Sequence, residues 1–272
     1  MLREITIGQY YQTDSWIHRL DPRVKLFATI VYIIALFSFR GIAGFVWITL
    51  FLAGCIRLSR VPFSFMIKGL KTILVLMMIT GLFNLFLTPG EVVYWKFGIL
   101  KLTNEGIKNT VLMLIRLSYL ILGTSILTLT TTPNQLTDGL EKSLSILKHV
   151  HVPVHEIAMM MSIALRFIPI LVEETNKIMK AQTARGADFE SGNLIQRVTN
   201  MVPLLVPLFV SAFRRADDLA MAMEARCYHG GEGRTKMKPL HYRREDRIAY
   251  VALFGFLVSV FLFRRFLPFG LI

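Results

Sequence analysis

The chain has 272 residues, 54% of them hydrophobic, and a mean hydropathy of +0.53. A soluble domain carries about 45–50% apolar residues. Here the excess comes in blocks, which excludes an ordinary soluble fold and predicts an integral membrane protein. The 31 basic and 18 acidic residues leave a net charge of +13. In a soluble protein that charge would point to nucleic acid; in a membrane protein it belongs to cytoplasmic loops rich in Lys and Arg. Cys55 and Cys227 lie far apart in unlike surroundings and support neither a disulfide framework nor a zinc site. Met1-Leu2-Arg3-Glu4 lacks the apolar core and cleavage site of a signal peptide.

In chain order, Trp16-Ile17-His18-Arg19-Leu20-Asp21-Pro22-Arg23 reads as an interfacial anchor on the cytoplasmic side. Two apolar runs follow, Val24–Phe39 and Ile42–Ile56, broken by a turn at Arg40-Gly41. Each is slightly short of the roughly 20 residues a bilayer core requires. The next loop carries Arg57, Arg60, Lys68 and Lys71 and no acid, so it belongs inside. A third span is predicted over Ile73–Leu87, then a small outer hairpin within Val92–Gly106, then a fourth span over Ile107–Leu129. Arg116 in that span is costly at bilayer depth and must face protein or the interface.

Beyond Thr130-Thr131-Thr132, Pro133 starts an amphipathic helix over Asn134–Lys148. A long methionine-rich helical pattern covers Val154–Arg185, with Pro169 inside it. After a turn at Phe189–Asn193, helical periodicity resumes over Leu194–Arg226, where Pro203 and Pro207 should divide or bend it. Ala212, Ala216 and Ala220 form a ridge of small residues. A basic stretch over Lys236–Arg247 leads to a fifth span, Ile248–Phe263, which places the C-terminus outside. The predicted fold is therefore an all-α integral membrane protein: a membrane domain over 1–132 with four spans, a cytoplasmic helical module over 133–247, and a last transmembrane helix over 248–272.

Two motifs punctuate the module. Ala181-Gln182-Thr183-Ala184-Arg185-Gly186 and Ala222-Met223-Glu224-Ala225-Arg226-Cys227 both read Ala-x-x-Ala-Arg followed by a small residue. A single arginine near a helix C-terminus is ordinary dipole chemistry. Two such ends, with alanines one turn apart beside each guanidinium, let a partner surface approach closely and offer a fork to a carboxylate.

These motifs, with Arg19-Leu20-Asp21-Pro22-Arg23-Val24-Lys25-Leu26 and Leu165-Arg166-Phe167-Ile168-Pro169, resemble the transmembrane T component of energy-coupling factor (ECF) transporters, the group that includes the cobalt-type permease subunit. The resemblance covers nearly the whole chain. It implies a multi-pass protein of a prokaryotic cell membrane whose cytoplasmic coupling helices dock into two ABC-type ATPase subunits through Ala184, Arg185 and Gly186 and through Ala225, Arg226 and Cys227. Cys227 departs from the family's usual glycine. The resemblance also implies an apolar platform for a membrane-embedded substrate-binding S component, for which Leu140, Leu144, Met159, Ile163, Ala212 and Ala216 are the candidates.

Catalytic alternatives find little support in the residues. A phosphate-binding loop needs Gly-x-x-x-x-Gly-Lys-Ser/Thr; the nearest approach, Gly69-Leu70-Lys71-Thr72, lacks the glycine next to the lysine. No cofactor is expected in this chain, ATP being left to the partner ATPases. His149, His151 and His155 are spaced His-x-His-x-x-x-His but are split by Pro153, and no metal is expected. Glu173-Glu174 and Asp217-Asp218 sit at adjacent helical positions, which do not face each other; pairing with Lys177, Lys180, Arg214 or Arg215 is expected instead. The rival readings are the self-contained permease of an ordinary ABC importer and an integral membrane enzyme. The spans offer the latter only Arg116 and Asn84. Nucleic acid is not expected as a partner.

Overall fold

The computed structural model describes residues 10–266 apart from positions 40, 91, 98–99, 190, 231–236 and 238. It contains ten α-helices and one hairpin: α1 (Trp16–Arg19), α2 (Pro22–Ser38), α3 (Ile42–Ser59), α4 (Phe63–Leu87), β1 (Val93–Phe97), β2 (Leu100–Thr103), α5 (Asn104–Thr130), α6 (Pro133–Ser143), α7 (Val154–Ala184), α8 (Leu194–Asn200), α9 (Val202–Ala225) and α10 (Arg244–Phe266). The chain divides into two compact units, one of Gly8–Leu140 with Leu240–Ile272, the other containing Glu141–Pro239. The fold is all-α, as predicted. By length and composition, four helical segments among the described residues can cross a membrane, α5, α7, Ile195–Ala225 (α8 with α9) and α10, and a fifth if the bent α4 counts as one span; α3 is a shorter apolar helix.

Helices α2, α3, α4, α5 and α10 correspond to the five predicted spans. Helix α4 begins ten residues before the predicted span. The predicted loop at Lys68 and Lys71 is in fact helical, and α4 bends by 57° between its Phe63–Lys71 and Ile73–Leu87 segments. Lysine is a good helix former, so charge ended the apolar run without ending the helix. The predicted hairpin is present as β1 and β2, antiparallel with Phe97 opposite Leu100. The predicted turn residue Arg40 lies outside the described residues.

The core of this first unit lies among the inner faces of these helices. Leu36, Ile48 and Met66 are fully buried, and Phe51 of α3 stacks on Phe256 of α10 at 4.0 Å between centroids. Gly123 of α5 is where α2 comes closest: a Cβ there would fall 2.2 Å from the Tyr32 ring, whose hydroxyl donates to the Tyr119 carbonyl at 2.9 Å. Arg116 meets the expectation that it faces protein. It donates to the Phe39 carbonyl at 2.8 Å, capping the end of α2, and lies near the rings of Phe37 and Phe45.

The Arg19–Leu26 motif builds a buried polar knot. Asp21 is the N-cap of α2 with Pro22 just inside, a combination that satisfies one orphan N–H and pre-sets the first helical turn; its carboxylate accepts from the Arg23 N–H at 2.9 Å and pairs with the Arg23 guanidinium at 2.8 Å. The Asp21 N–H donates in turn to Asp246 Oδ1 at 2.7 Å, across 225 residues. Asp246 Oδ2 accepts from the Arg243 N–H at 2.7 Å, reaching back to the residue that precedes α10 as an acidic side chain in a first turn does. Lys25 Nζ donates to the carbonyls of His18 (3.2 Å) and Thr130 (2.8 Å). Thus α2, α5 and α10 are tied together at one end by charges that are all hydrogen-bonded, with Asp21, Lys25 and Asp246 buried, the condition under which a buried charge is tolerated.

Candidate functional site

Helices α7 and α9 dominate the second unit, and both end at the motifs singled out in the sequence. At the end of α7, Arg185 occupies the C-cap and Gly186 follows with φ +89°. The Gly186 N–H donates to the Thr183 carbonyl and the Ala187 N–H to the Gln182 carbonyl, both at 3.0 Å. At the end of α9, Arg226 occupies the C-cap and Cys227 follows with φ +56°. The Cys227 N–H donates to the Glu224 carbonyl at 2.8 Å and the Tyr228 N–H to the Met223 carbonyl at 3.1 Å. The two ends therefore share one hydrogen-bond pattern, the six-to-one and five-to-two pair that closes a helix through a left-handed residue. Cysteine enters that conformation against the steric cost of its Cβ, on the order of 1–2 kcal/mol.

Arg185, Gly186, Arg226 and Cys227 are all exposed, as are Ala184 and Ala225. Neither guanidinium makes an ion pair or hydrogen bond with the described residues. Each cation lies at the negative end of its own helix dipole, worth some tenths of a kcal/mol at an exposed site.

The helices behind these ends are joined to each other. Arg215 of α9 pairs with Glu174 of α7 at 3.4 Å, and Gln182 Nε2 donates to the Pro203 carbonyl at 3.4 Å. Falling contact positions on α9 against rising ones on α7 make the pair antiparallel. Glu174 and Arg215 each lie eleven residues before the terminal arginine of their helix, about 16 Å of α-helix. The expectation that Glu174 and Arg215 pair within their own helices gives way to this contact between helices. Pro203 begins α9 at its second position, where it costs no hydrogen bond, and Pro207 is carried inside the helix.

Of the platform candidates, Leu140 falls in the first unit; Leu144 opens a 3₁₀ turn over Leu144–Val150 and is exposed. Met159, Ile163 and Ala212 are half-buried and Ala216 is exposed. Ala212 shares a helical stripe with buried Leu204 and with Arg215, the stripe that faces α7. The opposite side carries an exposed apolar stripe on residues other than the named platform candidates. Val202, Leu205, Val206, Phe209, Val210 and Phe213 are all exposed and recur at helical spacing, and Ile195, Val198 and Met201 extend the apolar surface towards α8. The three-to-four-residue period was the signal that could have found it.

Other candidate centres disperse. His155 Nδ1 contacts Glu141 Oε1 at 3.0 Å, whereas His149 and His151 are exposed elsewhere. The Gly69-Leu70-Lys71-Thr72 stretch lies inside α4. Leu165–Pro169 lies within α7, with Arg166 exposed. The buried Asp246 had no local signal in the sequence.

The apolar helices and near absence of strand define a multi-pass membrane protein. Its sequence matches the family described as Cobalt transport protein, CbiQ, over residues 13–237. It is 55% identical over 252 residues to the energy-coupling factor transporter transmembrane protein EcfT of Clostridium kluyveri, covering 92% of this chain and 93% of that one. Against the protein of the same name from Bacillus subtilis it is 47% identical over 264 residues, 97% of this chain and all of the relative. The chain belongs to this family, the transmembrane components of energy-coupling factor transporters. Its role is that of a non-catalytic membrane subunit in transport.

Proposed function

We propose that this subunit couples two ABC-type ATPases to a membrane-embedded substrate-binding S component, with α7 and α9 as the coupling helices on the cytoplasmic side. The observation that carries this reading is the matched pair of helix ends: two exposed arginines at equivalent cap positions, closed by the same turn, at equal distances from a shared contact. Each guanidinium enters an acidic groove of one ATPase, where a bidentate fork onto carboxylate is both strong and directional. ATP, bound by the ATPases, draws them together, and the angle between α7 and α9 changes with them. The exposed apolar stripe of α9 moves accordingly and tilts or releases the S component, which selects the substrate.

Removing one partner of a buried charge pair costs about 2–5 kcal/mol, so Arg185→Ala or Arg226→Ala alone should weaken ATPase docking and the double substitution abolish it. The test is affinity purification of the tagged subunit from its host in mild detergent. Two ATPases and a small membrane protein are expected with the natural sequence, and loss of the ATPases with the double substitution. Retention of both ATPases by the doubly substituted protein would refute the docking role. Recovery of a homodimer without ATPases would refute the coupling role altogether.

A further inference from the structure

The first unit contains a cavity of about 180 Å³ that the transport role does not use. It arises where α3 and α10 part. These antiparallel helices touch through Trp47 with Ser259 and Phe263, and through the Phe51–Phe256 stack. One to two turns further along, Cys55 and Leu58 of α3 and Ala249 and Ala252 of α10 line a void instead of meeting. Ala28 of α2, the Tyr32 ring and Gly123 of α5 complete the lining, and the alanines of α2 and α10 leave the space open.

The lining is almost wholly hydrocarbon. Lys25 is its charged residue, and the Lys25 ammonium donates to the carbonyls of His18 and Thr130. An apolar cavity of this size favours an apolar guest over water. It opens to the outside where Leu58 and Ala252 are exposed, among helices apolar enough to lie in a bilayer and beside surface residues that lipid must cover, among them Val251 and Phe254 on α10. The residues around the void lie near the ends of α3 and α10 that carry exposed Arg57, Arg60, Arg244 and Arg247, cations suited to a phosphate headgroup.

We infer that this cavity holds a segment of one acyl chain of an anionic membrane phospholipid, inserted between the parted ends of α3 and α10. The chain acts as a removable wedge between α10 and the rest of its unit. This inference stands apart from the coupling reading, since it involves neither arginine end.

The test is photocrosslinking of the full-length protein, reconstituted in vesicles containing phosphatidylglycerol with a diazirine on the acyl chain, with adducts located by mass spectrometry. Val24, Leu52 and Leu253 line the cavity and are at most 5% exposed, so bulk lipid does not reach them. Adducts at these residues are expected in the natural sequence. They should be lost in Ala252→Phe, which fills the void, while adducts at outward Val251 and Phe254 remain. Ala28→Leu fills the cavity from the other wall and serves if Ala252→Phe does not fold. Adducts confined to outward residues, or adducts at Val24, Leu52 and Leu253 that survive filling, would overturn the inference.

Discussion

The polar knot of the first unit and the arginine ends of the second use the same side-chain chemistry in opposite ways. In the knot, Asp21, Lys25 and Asp246 are buried and every charge meets a hydrogen-bonding partner. At the helix ends, Arg185 and Arg226 are exposed and meet none among the described residues. Charges of the first kind hold the fold and are invisible from outside. Charges of the second kind add little to the fold and lie open at its surface. The comparison teaches that an arginine's meaning in this protein is read from what satisfies it.

The comparison breaks most readily at Asp246. Asp246→Ala leaves the buried Asp21 N–H and the partly buried Arg243 N–H without their carboxylate acceptor, a change expected to cost about 1–3 kcal/mol for each buried donor left unpaired. Thermal unfolding in detergent should show a large fall in Tm, whereas the Arg185→Ala/Arg226→Ala protein should match the natural sequence within about 0.5 kcal/mol. Equal Tm losses in the two variants would erase the distinction.

A smaller effect is expected at the contact between α7 and α9. The Glu174–Arg215 pair is partly exposed, with side chains 27% and 37% accessible, so its coupling energy in a double-mutant cycle should be about 0.2–1 kcal/mol. Its larger consequence should appear in ATP-driven transport, because it fixes where the helices touch. A cycle with no coupling in either readout would remove Glu174–Arg215 as the meeting point.

Smaller still is the change at Cys227. Glycine relieves the left-handed strain but widens the unfolded ensemble by about 0.4–1 kcal/mol, so Cys227→Gly should gain only some tenths of a kcal/mol. Gly186→Ala, introducing strain at the matching end, should lose stability. Opposite signs in a paired denaturation experiment would confirm that the two turns are equivalent; equal signs would not.

The smallest effect is electrostatic. His18 donates from Nε2 to the Tyr11 carbonyl at 3.0 Å, which leaves Nδ1 to accept from the Ser15 hydroxyl at 2.7 Å. Burial holds its imidazole below the ordinary range. The folded protein therefore binds fewer protons there than the unfolded chain. The stability from the neutral ring is complete above the unfolded-state pKa of about 6.5 and is lost as pH falls below it. His18→Gln should flatten the decline in Tm between neutral and mildly acidic pH; an unchanged slope would assign the decline elsewhere.

Much of this architecture was legible because periodicity and capping act locally. The five apolar helices, the hairpin, and the α7 and α9 ends followed from hydropathy runs, from Pro133, and from Ala-x-x-Ala-Arg. What escaped was of three kinds. The early start of α4 was hidden because Lys68 and Lys71 interrupt hydropathy but not helicity. The Asp21–Asp246 link joins residues at opposite ends of the chain, and no local pattern announces it. The left-handed turn at Cys227 runs against residue preference and is set by the hydrogen bonds around it. Hydropathy alone does not assign α7 and α9 to either side of the membrane boundary, since both are long and apolar enough to cross a membrane. Their apolar stripe overlaps that signal.

The equal reach of Arg185 and Arg226 from the Glu174–Arg215 contact has a mechanical consequence. Two stiff arms of the same length about a common point have a gearing of one. A change in the angle between the two helices therefore displaces both arginines by the same amount, so that partners held at the two ends would move equally.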